Sequence, residues 1–124
     1  MKKYIIIAAI VLLIAGVILG IFSTGLPLGM VVLHNQEETA TLSGPEAAAV
    51  RTLFIFRFYR YGIGGCPFTD GVSITIGNRE FALATDGCYS AKDLRNDDCM
   101  EFNRLEWKRI KDLFANYFGE TLLD

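Results

Sequence analysis

Three cysteines, one histidine and a group of aspartates are the residues of this 124-residue chain whose chemistry could go beyond packing. Cys66, Cys88 and Cys99 contain no CxxC spacing and have no histidine near them, so they do not make a usual zinc site. His34 is the sole histidine and lies well ahead of all three. A folded domain built from the later residues therefore lacks both a Cys–His nucleophile pair and a Ser–His–Asp arrangement. Gly62-Ile-Gly-Gly-Cys-Pro67 has Pro67 where GxGxxG needs its third glycine, and no Lys followed by Ser or Thr. Neither phosphate-cradling motif is present, and the stretch reads as a connecting loop.

Asp86, Asp93, Asp97 and Asp98 could offer oxygens to Ca²⁺, but the spaced ligands, central glycine and terminal Glu of an EF-hand are missing. The group reads as a solvated acidic loop. Glycosidic chemistry needs two carboxylates at a defined separation, and with 14 Asp and Glu in the chain mere proximity carries no signal. No residue is assigned a catalytic, cofactor-binding or metal-ligating role. In an oxidising compartment the cysteines can form disulfides. Cys88 and Cys99 flank the polar loop, and bridging them is worth roughly 3 kcal/mol by chain entropy, against roughly 4 for Cys66 with Cys99. That difference does not choose, and Cys88–Cys99 is preferred because the strands at either end of the loop are expected to adjoin. That pairing leaves Cys66 as the free thiol, which reads as packed and inert because reactivity needs a depressed pKa with a cause.

Position comes from the start of the chain. Residues 4–22 carry no charge, and 13 of them are Ile, Leu, Val or Phe. As a helix they span about 28 Å, close to a hydrocarbon core of about 30 Å. Each such side chain favours insertion by about 0.3 to 0.6 kcal/mol, with no charge opposing it. Pro27 and Gly29 end the helix soon after the span. A cleaved signal has a shorter apolar stretch, about 7 to 15 residues. The length therefore favours a retained signal-anchor over cleavage after Gly25, where Ser23-Thr24-Gly25 offers small residues. Lys2 and Lys3 are the basic residues flanking the span, which places the N-terminus in the cytoplasm and the rest outside. Gly16 and Gly20 match GxxxG, a spacing common by chance in such spans; the oligomeric state is left open.

Beyond the span, the segment from Asn35 onward holds 10 Lys and Arg against 14 Asp and Glu. That balance argues against nucleic acid as a partner, which needs concentrated positive charge. Residues 26–33 read as an interfacial segment and 35–40 as a polar tether. Ser43-Gly-Pro-Glu46 predicts a capped helix of one or two turns. Residues 50–61 are rich in β-formers, with Phe54, Phe56 and Phe58 on one face, and predict a central strand. Gly77-Asn78 predicts a two-residue hairpin turn that sets Ile76 against Arg79, Ile74 against Phe81 and Val72 against Leu83. Asp86-Gly87 turns the chain into a polar loop over 89–98, with a short strand at 99–102. Asn103 and Glu106 predict a capping box ahead of a helix. Its apolar stripe is Trp107, Ile110, Leu113, Phe114, Tyr117 and Phe118, closed by Gly119.

The fold class is α+β: an N-terminal transmembrane helix, then a small antiparallel β-sheet domain packed by a C-terminal α-helix. Residues 1–3 form a cytoplasmic tip, 4–22 the membrane helix, 23–42 the interfacial segment and tether, and 43–124 the extracytoplasmic domain. The expected function is a single-pass, membrane-anchored, non-catalytic interaction module. Its expected partners are the lipid bilayer and another protein. The alternatives are an envelope enzyme using Cys66 or the carboxylates of 86–98, and a cleaved secreted factor.

Overall fold

The computed structural model describes residues 2–60, 68–85 and 88–119. Helix α1 (Lys2–Phe22) has no residue buried against the domain and a mean hydropathy of 3.3 over its most apolar window. At 1.5 Å per residue its 21 residues extend about 31 Å, so it is long and apolar enough to cross a membrane, as signal sequences also are.

The remainder forms strands β1 (Val31–Asn35) and β2 (Glu38–Leu42), helix α2 (Gly44–Phe54), strands β3 (Phe68–Ile76), β4 (Arg79–Ala84), β5 (Ser90–Asp93) and β6 (Asp98–Glu101), and helix α3 (Arg104–Phe118). The six strands make one antiparallel sheet in the order β2-β1-β3-β4-β5-β6. Period-two alternation sorts their residues. Val31, Leu33, Val72, Ile74, Ile76, Phe81, Leu83, Ala91 and Met100 are fully buried on one face, where Ala47, Val50 and Phe54 of α2 and Trp107, Ile110 and Phe114 of α3 complete the core. Phe54 holds the layers together: its ring stacks on Phe81 at 4.5 Å and meets Phe102 edge-on at 5.4 Å. The opposite face carries Val32, His34, Thr75, Ala82, Lys92 and Cys99, all partly open, together with the buried Ser73, and among the described residues no helix lies across it. One-sided coverage is ordinary for an antiparallel sheet.

The β3–β4 hairpin turns at Gly77-Asn78 with Ile76 opposite Arg79 and Ile74 opposite Phe81. The ladder is irregular between Phe68 and Ser73, so the expected Val72–Leu83 pair is not part of it. Asn103 caps α3 in a full capping box with Glu106, and Gly119 (φ +77°) ends it. Four expectations need correction. Residues 31–42, expected as interfacial segment and tether, form the β1–β2 hairpin, with Gln36 (φ +63°) in its two-residue turn. Residues 44–54 continue as helix where a strand beginning at 50 was expected, because the run begun by Pro45 and Ala47-Ala-Ala49 keeps Ala47, Val50 and Phe54 on one buried face. Ser43 stands at the N-cap without a side-chain capping bond. The polar stretch 89–98 contains β5 and its turn into β6. Residues 61–67 and 86–87, read as loop and turn, lie outside the described residues.

Gly77 (φ +62°) sits against the segment that follows α1: a Cβ there would run into the Leu28 carbonyl oxygen, and one on Gly29 would stand 2.7 Å from the Gly77 Cα. Gly77→Ala should destabilise the domain by about 2 kcal/mol or more, from the left-handed backbone and the backbone clash together. Thermal unfolding of the full chain in detergent checks this, with Gly16→Ala, which meets nothing within 4 Å, as the neutral control.

Candidate functional site

The densest polar arrangement among the described residues lies where α1 enters the domain. After Phe22 the chain does not run free. Ser23 pairs in an antiparallel bridge with Phe58. The Thr24 amide donates to the Arg57 carbonyl at 3.0 Å, the Phe56 amide to Gly25 at 2.6 Å, and the Tyr59 amide to Phe22 at 3.0 Å. Ser23 and Thr24 are fully buried. The Ser23 hydroxyl donates to the Leu19 carbonyl and the Thr24 hydroxyl to the Phe54 carbonyl; Thr24 Oγ1 also accepts from the Arg57 amide at 3.0 Å. Phe56 makes this geometry with φ +45°, which lets the chain reverse after α2 and lie beside residues 22–25.

Two arginines lock the paired segments to the sheet and helices. Arg79 projects from the end of β4, donating from Nη1 to the Thr24 carbonyl at 2.9 Å and from Nη2 to Asp93 Oδ2 at 2.6 Å. Asp93 is fully buried on β5. It also accepts the Tyr59 hydroxyl at 2.7 Å and the Arg95 amide at 3.0 Å, while Arg95 and Asn96 donate to the Tyr59 oxygen at 3.0 and 3.1 Å. Burial, with the Asp93 charge beside it, raises the Tyr59 pKa above the usual phenol value. Every carboxylate oxygen of Asp93 is thus engaged, and the group acts as a hub that holds Arg79 on Thr24. Arg57 works at the other side. Its Nε donates to Leu53 at 2.7 Å, Nη1 to the Glu101 carbonyl at 3.0 Å, and its guanidinium forks onto Glu106 while lying 4.4 Å over the Phe102 ring.

The surface beside this junction is an open depression of about 330 Å³ lined by Ile55, Phe56, Arg57, Phe58, Arg60 and Glu101. A second, apolar groove of about 200 Å³ runs between α2 and α3, lined mainly by Ala49, Val50, Leu53, Ile110 and Leu113.

The expected site residues are distributed differently. Cys99 carries a free thiol, so the Cys88–Cys99 bridge is not formed. The register gives the reason. Cys99 stands opposite Lys92 in the β5–β6 ladder, four residues along from Cys88, so the two cysteines are not register partners. Burial raises the Cys99 pKa, which leaves it protonated at neutral pH. Cys66 lies outside the described residues. His34, expected at the membrane end of a tether, is on the open face of β1 with Nε2 2.9 Å from Thr75 Oγ1. Of the aspartates read as a solvated loop, Asp97 is exposed and Asp98 half-buried, but Asp93 is the buried hub; Asp86 lies outside the described residues. No group of three His, Cys, Asp or Glu side chains suited to a metal comes together among the described residues. The hub was foreshadowed by one feature: Arg79 falls opposite Ile76 on the core face of a hairpin, and a buried guanidinium demands a carboxylate. Comparison with family models, curated proteins and solved structures finds no match.

Burial works against the charge on Glu106, yet the Arg57 fork and the Asn103 amide hold its pKa below the usual carboxylate value of 4.5. A carboxylate whose folded pKa lies below its unfolded one stabilises the fold above the unfolded pKa and loses that contribution as pH falls through the folded one. Glu106→Gln should therefore be less stable than the parent by about 1 to 2 kcal/mol at neutral pH. The gap should close as pH drops well below 4.5, and urea unfolding across that range measures it.

Proposed function

We propose that the protein is a single-pass membrane-anchored, non-catalytic interaction module. In this reading α1 is a retained signal-anchor, the N-terminus is cytoplasmic, and the α+β domain stands outside the membrane and presents the sheet face opposite α2 and α3 to a protein partner. The observation that carries it is the burial of Ser23 and Thr24 within the domain. Cleavage after Gly25 would remove the strand partner of Phe58, the acceptor of Arg79 and the hydroxyl bound to Phe54. A domain that folds around these residues is built to keep its leader. Lys2 and Lys3 ahead of the span support the orientation. The open face, with small and hydroxyl side chains such as Thr75 and Ala82 over a rigid sheet, suits a flat contact. The raised Cys99 pKa and the fully engaged Asp93 support a non-catalytic role.

Membrane fractions from cells expressing the full chain, with a photo-cross-linking benzoylphenylalanine at Thr75, test this. The expected species keeps residues 1–25 by intact mass, is digested by protease added to intact cells, and gives one discrete protein adduct from Thr75 that is absent when the cross-linker is at Leu105. A mature chain beginning at Leu26, or adducts indistinguishable between the two positions, would contradict the reading.

A further inference from the structure

Apart from α1, the exposed large apolar side chains among the described residues are Leu26, Leu28, Met30, Phe56, Phe58, Leu94, Leu105 and Tyr117. Five of these eight fall in the two short stretches joined to the end of α1. Leu26, Leu28 and Met30 are exposed along a segment that bends at Gly29, while its Pro27 and the following Val31 are buried. A domain surface facing water would place polar groups on such a stripe. Phe56 and Phe58 are 45% and 56% exposed, although they belong to the segment that clasps residues 22–25. Phe56 keeps its ring there at the cost of a left-handed backbone.

Depth follows from the same bonds. A helix of 21 residues uses up a hydrocarbon core of about 30 Å, so Phe22 emerges near its edge. Phe58 pairs directly with Ser23, which puts its Cα about 5 Å from the chain one residue beyond that edge. The headgroup layer is itself about 5 to 7 Å thick on each side. Leu26 is four residues further, at most about 14 Å of extended chain. Charge fits the same surroundings. Residues 4–36 contain no charged side chain and 47–69 no acidic one, while Arg51 reaches the Gly29 carbonyl at 3.0 Å and Arg60 is largely exposed beside Glu101. Apolar and aromatic side chains with arginines at their rim are the composition that lies in a lipid interface.

We infer that the domain is seated on the bilayer: Leu26, Leu28, Met30, Phe56 and Phe58 enter the headgroup–acyl boundary of the leaflet from which α1 emerges, and Arg51 and Arg60 meet lipid phosphates. This rests on the anchor reading above, and it makes the domain a fixed extension of the membrane surface instead of a body on a tether.

The test uses the full chain in nanodiscs of phosphatidylcholine and phosphatidylglycerol in equal parts, with benzoylphenylalanine placed singly at Leu13, Leu28, Phe58 or Leu105. Lipid adducts, read by mass, are expected at Leu13, Leu28 and Phe58, several-fold above Leu105. Adducts at Leu13 with Leu28 and Phe58 at the Leu105 level would overturn the seating and leave the anchor standing. No adduct at Leu13 would overturn the anchor itself, and the seating with it. Hydroxyl-radical footprinting of the unmodified chain in the same discs guards against misfolded variants: Met30 and Phe58 should be oxidised less than Tyr117, despite greater exposure, and the reverse order would overturn the seating.

Discussion

The interaction on which the rest depends is a short piece of backbone pairing between residues 22–25 and 56–59. Each amide bond there is ordinary, worth about 1 kcal/mol net. Their consequence comes from what they join. One partner is the end of a helix with no buried residue, and the other is the segment between α2 and the sheet. Because Thr24 is buried and its carbonyl, amide and hydroxyl are all bonded, the junction has the character of a domain interior.

Electrostatics makes the junction specific. A buried carboxylate alone would cost several kcal/mol, and removing one partner from a buried charge pair typically costs about 3 to 5 kcal/mol. Asp93 meets that demand with Arg79, Tyr59 and the Arg95 amide, and Arg79 passes the constraint on to Thr24. The same hub therefore closes the β5–β6 turn, anchors the segment after α2 and fixes the chain that follows α1. Arg57 and Glu106 do the matching task for the start of α3, where one carboxylate both completes the capping box and receives the guanidinium.

Much of the architecture was legible in the sequence because local and long-range signals agreed. Gly77-Asn78 between alternating apolar residues fixed a hairpin and its register near the turn, and Asn103 with Glu106 fixed the start of α3. What escaped lacked such agreement. The β1–β2 turn uses Gln36 in a left-handed conformation that glycine or asparagine usually signals, and Gly71 supplies the room by packing against it. Phe54, Phe56 and Phe58 look like one strand face, but Phe54 completes a helix, Phe56 turns the chain with a left-handed backbone, and Phe58 alone of the three pairs as a strand residue, a choice made by the core pocket at Phe81 and Phe102. The cysteine pairing failed for a geometric reason: flanking a loop does not bring residues together when the strands cross at a different register. The hub failed to appear because its members are far apart in sequence, with only the inward-facing Arg79 to betray it.

The most direct measurement is amide hydrogen exchange of the full chain in nanodiscs. A junction built into the domain predicts that the amides of Thr24, Phe56 and Tyr59 exchange as slowly as that of Ile74 in the central strand, while Glu37 in the β1–β2 turn exchanges quickly. Exchange at Thr24 and Tyr59 as fast as at Glu37, with Ile74 still protected, would mean that the helix and the domain are joined by a free linker.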